Sequence, residues 1–315
     1  MFDFARLRLA ASSDFARLRL AARRLRRLAA RWRSFVPCVA LAALAAGPVA
    51  SGADADAAVA RRVVSLNPSL TAMLVALGAA DRLVGVDVWS KRQNPDLAAL
   101  PTVGGLYNPS LEALVALSPD LVVFVPAAEQ RDFHARLDGL GVRVERFDPV
   151  RFDEVLASIE RLGRIVGREA EARARVAEIG RVRAGLEGAA AGLPRPRAVL
   201  ILQRDPLFVV GGANFIDEML TSVGAQNVAG SFPEPYPRVS LEWLVAQAPE
   251  VILDSSHDAD PPAAHWARFA SLPAVVQGRV VRLPVGIATL PGPDLDDALR
   301  LLSRSVHGRD LLGGR

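Results

Sequence analysis

The 315-residue chain has a single cysteine, Cys38, close to its start. Beyond it there is neither a disulfide nor a thiolate nucleophile or ligand. Aromatics are sparse: four tryptophans and two tyrosines, Tyr107 and Tyr236, in a chain that is 6% aromatic. Of the four histidines, at 134, 257, 265 and 307, none has a partner at zinc-like helical or turn spacing. His257 and His265 do flank Asp258 and Asp260, which keeps a metal-binding reading open there. Gly-x-Ser-x-Gly, Walker-type, His-Glu-x-x-His and Gly-x-Gly-x-x-Gly motifs are all missing, so no motif argues for an enzyme. Outside the first 53 residues, no apolar run approaches the roughly 18 residues of a membrane span.

Charge is also lacking where the whole-chain figure suggests it. Residues 1–53 hold ten arginines and two aspartates, a charge of +8, so the remainder is −4 against a total of +4. Basicity belongs to the leader, and nucleic-acid binding loses its main support. That leader is Arg-rich through Arg33, apolar from Phe35 to Ala50, and ends on Ser51-Gly52-Ala53. This is the order of regions in a secretory signal, so export to the periplasm and cleavage after residue 53 are expected. Cys38 follows Val36-Pro37, where a lipoprotein site wants small residues, which argues against lipidation.

What the chain does have is a repeat. Ser110 to Phe124 and Ser240 to Asp254 match at seven of fifteen positions, 130 residues apart. Each copy reads as a serine-capped helix, a Pro-acid turn and a buried strand. A second echo, residues 71–79 against 217–225, extends the likeness. The repeat predicts two similar lobes, with a ligand cleft between them.

Taken in order, residues 54–61 form a linker. The first α/β lobe covers 62–150. It has strands at 62–66 and 83–86, a helix from Asn67 to Ala79, and a loop from Asp87 to Asn108. After the first copy come a helix at 130–140 and a strand at 142–147. Helices at 152–166 and 168–190 fill a connecting region, 151–193. The second is long enough, at about 1.5 Å per residue, to join the lobes, with Val176, Ile179, Val182 and Leu186 on one stripe. The second lobe covers 194–310, with strands at 198–203, 207–210 and 280–283, a turn at Gly211-Gly212, and helices at 215–223 and 294–306. The tail, 311–315, frays. Strands alternating with helices predict parallel, helix-covered sheets.

Glu112 and Glu242 each sit two residues after a capping serine. The helix dipole favours a carboxylate there by roughly 0.3–1 kcal/mol, which is sufficient reason for either one alone. As a pair they would place one exposed negative charge on each lobe, for a partner with two matching arginines. Trp89, Tyr107, Phe208 and Tyr236 fall in loops of the kind that open parallel sheets use for ligands. Their faces suit a large flat ligand, although aromatics also pin loops to their own lobe. Trp243 and Trp266 read as helix residues that pack.

Several stretches carry a family resemblance. They are residues 63–68, Leu83 to Val86, Asn108 to Glu112 running on to Ser118 to Val122, and Pro235 to Glu242. On them the chain resembles the helical-backbone substrate-binding proteins of ABC importers, class III periplasmic binding proteins, and within that group the cobalamin receptors. The resemblance implies two Rossmann-like lobes joined by one long α-helix, with limited hinge motion. It implies cobalamin or a related corrinoid as cargo rather than cofactor, no catalysis, and a monomer that serves an ABC permease and its ATPase. It implies that Glu112 and Glu242 dock on the permease, and that Trp89, Tyr107, Phe208 and Tyr236 line the cleft. One departure is Gly104-Gly105-Leu106, which stands where those receptors carry a tryptophan. A haem or ferric-siderophore receptor of the same class, with Tyr107 or Tyr236 as an iron ligand, fits the same frame. So, from another class, does a secreted metal-binding protein or enzyme using His257, Asp258, Asp260 and His265.

Overall fold

This computed structural model describes residues 59–105, 108–126, 136–137, 139 and 141–313. The expected signal segment, most of the 54–61 linker, Tyr107, His134 and most of the helix expected at 130–140 lie outside them.

The first sheet is built on β1 (Val63–Ser65), flanked by β2 (Leu83–Val86) and β3 (Leu121–Phe124), with β4 (Arg143–Arg146) at the far edge; the order is β2-β1-β3-β4. All three pairings are parallel. Helix α1 (Pro68–Ala76) starts where expected because Asn67 accepts hydrogen bonds from the Ser69 and Leu70 amides. The segment after β2, expected as loop, instead holds helix α2 (Val88–Gln93) and a short 3-10 turn (Pro95–Leu97). The sequence signal was present: the Asp87 side chain caps α2 by accepting from the Trp89 and Ser90 amides. Six residues are too few to show helical periodicity. Helix α3 (Leu111–Ala116) then leads into β3.

Two helices follow, α4 (Phe152–Val166) and α5 (Glu169–Ala190). The second sheet centres on β5 (Arg197–Arg204). It pairs antiparallel with β6 (Leu207–Val209), parallel with β8 (Val251–Asp254), and at its start with the two-residue β7 (Gln226–Asn227). β9 (Val280–Arg282) closes the β8 edge in parallel. Helices α6 (Phe215–Ser222), α7 (Leu241–Gln247), α8 (Pro262–Trp266), α9 (Pro273–Val276) and α10 (Leu295–His307) complete the chain. No described helix is long and apolar enough to cross a membrane. Gly211-Gly212, expected as a turn, is a buried close approach instead. A Cβ there would meet the Glu234 and Gly230 carbonyl oxygens at 2.1 and 2.2 Å.

The strands read as continuous apolar runs because both faces of each sheet are covered. Val63, Leu121, Val123, Ala198, Leu200, Val251 and Leu253 face one shared core, which also takes in Phe152, Ile159, Ile179 and Leu186 of α4 and α5. The alternate residues face separate outer cores, under Leu114 of α3 in the first sheet and Leu244 of α7 in the second. The helical layer thus belongs to both sheets. Arg175 on α5 donates to the Pro293 carbonyl at 2.8 Å and pairs with Asp296 on α10. Glu218 on α6 accepts the Phe152 amide at 2.9 Å and pairs with Arg151. One apolar core and these charged pairs tie the helical layer to its neighbours.

Candidate functional site

The two copies of the repeat fold alike in detail. Ser110 accepts the Ala113 amide at 3.2 Å, and Ser240 accepts the Trp243 amide at 3.1 Å. Both helices end on a left-handed residue, Ser118 (φ 44°) and Ala248 (φ 45°). In the turn that follows, Asp120 accepts the Arg62 amide at 3.0 Å and Glu250 accepts the Arg197 amide at 2.8 Å. The acid of each Pro-acid turn therefore fastens the start of its lobe's central strand, β1 or β5.

Each helix runs antiparallel to the strand it feeds, so its first turn lies at the carboxyl end of the sheet. Glu112 and Glu242 stand there, both exposed. The own backbone N–H and the Ser110 hydroxyl hold the Glu112 carboxyl below the usual glutamate value, and Arg136 adds a smaller pull in the same direction. Glu242 is lowered likewise by its own amide and by Ser240. Both are anions across the physiological range.

Trp89 lies at the same end of the first sheet, in the first turn of α2, and is 49% exposed with the Arg92 guanidinium over its ring at 5.0 Å. Under it runs a buried polar chain. Asp87 accepts the Trp89 amide at 2.8 Å and the Ser90 hydroxyl; Ser90 and Thr71 hydroxyls meet at 2.8 Å; Thr71 donates to Ser65 at 2.8 Å. The same segment is tied toward Glu112, since Val88 donates to Gly104 and Ser110 donates to Val103.

In the second lobe, Phe208 sits half-buried on β6 and bridges to Arg238, which brings the Tyr236 segment alongside it. Tyr236 is 43% exposed, and partial burial raises its hydroxyl pKa. Trp266 is core, and Trp243 packs edge-on to Phe232 at 5.3 Å. Sequence reasoning missed Val285 and Ile287, exposed apolar residues that follow the carboxyl end of β9 around Gly286 (φ 92°). Their only signal was an apolar stretch running on past a strand.

The His257–His265 segment has structural partners. Asp254 at the end of β8 is buried. It accepts from Arg204 at 2.9 Å, from the Trp266 indole at 2.8 Å and from the Ser256 hydroxyl at 2.7 Å. Arg204 also draws in Asp258 at 3.5 Å and, with Arg282, the Asp260 carbonyl. Burial, then the charge of Arg204, lowers the His265 pKa. Among the described residues no three His, Cys, Asp or Glu groups are placed to hold a metal ion. A cavity of about 520 Å³ opens at the opposite end of the second sheet, between Pro196, Glu250, Arg279 and His307, and contains none of the residues expected to bind ligand or to dock.

The model of the periplasmic binding protein family matches residues 63–285. The chain belongs to this family. Within the periplasmic binding protein family, one relative is the vitamin B12-binding protein of Vibrio parahaemolyticus. It is 27% identical over 233 residues, which cover 74% of this chain and 84% of that protein. The crystal structure of the periplasmic vitamin B12 binding protein BtuF of Vibrio cholerae superposes with a TM-score of 0.68 at 25% identity, covering 78% of this chain and 96% of that one. A periplasmic heme binding protein from Pseudomonas aeruginosa superposes with a TM-score of 0.66 at 28% identity, covering 79% and 94%. The architecture read from the sequence, two lobes with mainly parallel sheets joined by a long helix, is the one these binding proteins share.

Proposed function

We propose that this protein is a periplasmic receptor, exported by a cleaved leader, that captures cobalamin or a related corrinoid between its lobes and delivers it to an ABC permease and its ATPase. It acts as a monomer and performs no catalysis. The observation that carries the reading is an exposed aromatic on each lobe, Trp89 and Tyr236, in a chain whose relatives bear the vitamin B12-binding name. A corrin is broad, flat and partly apolar, so contact with aromatic faces supplies affinity and a few loop hydrogen bonds supply orientation. Phe208, Tyr107, Val285 and Ile287 extend that lining. Glu112 and Glu242 dock the loaded receptor, one on each half of the permease surface.

Haem is the second reading, supported by the likeness to heme-binding structures. It would use a tyrosine, Tyr107 or Tyr236, as the iron ligand. Titrating the chain from Asp54 onward with cyanocobalamin, followed by tryptophan fluorescence and calorimetry, tests the choice. One-to-one binding that weakens at least about tenfold in Trp89→Ala and in Tyr236→Ala is expected, each ring being worth on the order of 1.4 kcal/mol or more. Binding of haem but not of cyanocobalamin would replace the corrinoid reading with the haem one.

A further inference from the structure

Seven positions are identical between the two copies of the repeat, and the fold accounts for four of them. Ser110 and Ser240 cap their helices. Leu111 and Leu241 pack on the outer cores, and Leu114 and Leu244 are buried in them. Pro119 and Pro249 shape the turns. The remaining three pairs are Glu112/Glu242, Val115/Val245 and Ala116/Ala246, and all six residues are exposed. Their spacing of i, i+3 and i+4 puts them on one face of each helix. Val115 is 45% exposed and Val245 is 37% exposed. Exposure does not by itself keep a position alike, since Ser118 stands against Ala248 with both exposed, whereas Ala113, Leu117 and Trp243 are partly buried against the outer cores. Together with the two glutamates, which the helix dipole also favours, the exposed valine and alanine form one outward stripe, present once per lobe.

We propose that Val115 and Val245 are contact residues for the permease, each receiving the aliphatic stem of the arginine whose guanidinium engages Glu112 or Glu242. This rests on the docking reading of the two glutamates. A carboxylate one helical turn before an exposed valine matches the two halves of an arginine side chain, whose methylene stem lies on apolar surface while its head stays polar. The alanine beside the valine lets the partner backbone come close. Each lobe would thus give one charged and one apolar contact. The charged one sets the encounter and its salt dependence; the apolar one sets how long the complex lasts.

The test is dissociation of the full exported chain from the permease complex through which its own cell imports cyanocobalamin, held in nanodiscs and measured at low and high salt. The Val115→Thr/Val245→Thr protein, which keeps side-chain shape, should dissociate about tenfold faster with an unchanged salt slope, given the apolar area involved. Val276→Thr, at an exposed valine outside the repeat, should behave as wild type, and melting curves of all variants should coincide. If the double threonine variant dissociates within about twofold of wild type while Glu112→Ala/Glu242→Ala fails to dock, the valine contact is wrong and the glutamate reading stands. If the double alanine variant docks normally, the docking reading falls and takes this one with it.

Discussion

Arg62 and Arg197 make the same contact in their two lobes. Each guanidinium donates at 2.6 Å to the carbonyl of the last residues of the repeat helix, Leu117 in one lobe and Gln247 in the other. Each also has its backbone N–H held by the acid of the following turn. Helix, turn and central strand are thereby closed into one unit, twice. Charge-assisted bonds of this kind contribute about 1.5–3 kcal/mol when sheltered and less when exposed. Arg197, half-buried, should therefore cost more on replacement by Ala than exposed Arg62. Urea unfolding should put the Arg197→Ala loss near 2 kcal/mol; equal losses at the two sites would contradict this ranking.

The buried Arg204–Asp254 pair makes the second lobe acid-sensitive. Burial by itself would raise the Asp254 carboxyl, but the Ser256, Trp266 and Arg204 donors outweigh it and hold the group below its ordinary value. A depressed folded pKa contributes stability above the unfolded value, about 3.9, and that stability is lost as pH falls through the folded one. Asp254→Asn leaves the Arg204 charge buried without its counter-ion, so a loss of about 3–5 kcal/mol is expected. The variant's stability should also depend less on pH below 4 than wild type, which a set of melting curves from pH 2 to 7 would show.

The hydroxyl chain beneath Trp89 predicts an effect on ligand that travels through one side chain. Thr71→Val keeps the volume but leaves Ser90 and Ser65 short of a partner, a loss of about 1–3 kcal/mol. Cyanocobalamin affinity should fall several-fold in Thr71→Val. In a Trp89→Ala background the same change should leave affinity unaltered, because the chain then positions nothing. Equal losses in both backgrounds would mean that Thr71 acts on the lobe in general.

Docking should be tolerant of acid. Because their own amides and the capping serines lower both carboxyls, Glu112 and Glu242 keep their charge as pH falls below the usual glutamate value. Retention on the permease should fail only as pH drops through the lowered values. In Ser110→Ala/Ser240→Ala the midpoint should move upward. An unchanged midpoint would detach docking from these two groups.

Most of the elements, and their class, are legible in the sequence. Runs such as Leu121 to Phe124 and Val251 to Leu253, short, β-branched and bounded by turn residues, read as strands covered on both faces, and Asn67, Ser110 and Ser240 announce their helices, because caps and apolar period are local properties. The sequence by itself also determined that there are two copies of one unit. The short helix that presents Trp89 was less legible, because a single capping aspartate in six residues gives no period. Only the tertiary structure decided which identities between the copies are internal. Burial of Leu114 and Leu244 against exposure of Val115 and Val245 depends on which side of a helix meets a sheet, and that orientation is fixed by residues far away in the chain. It decided likewise that Asp254, Asp258 and the Asp260 carbonyl gather on Arg204, since Arg204 arrives from an earlier strand, and no local pattern records that meeting.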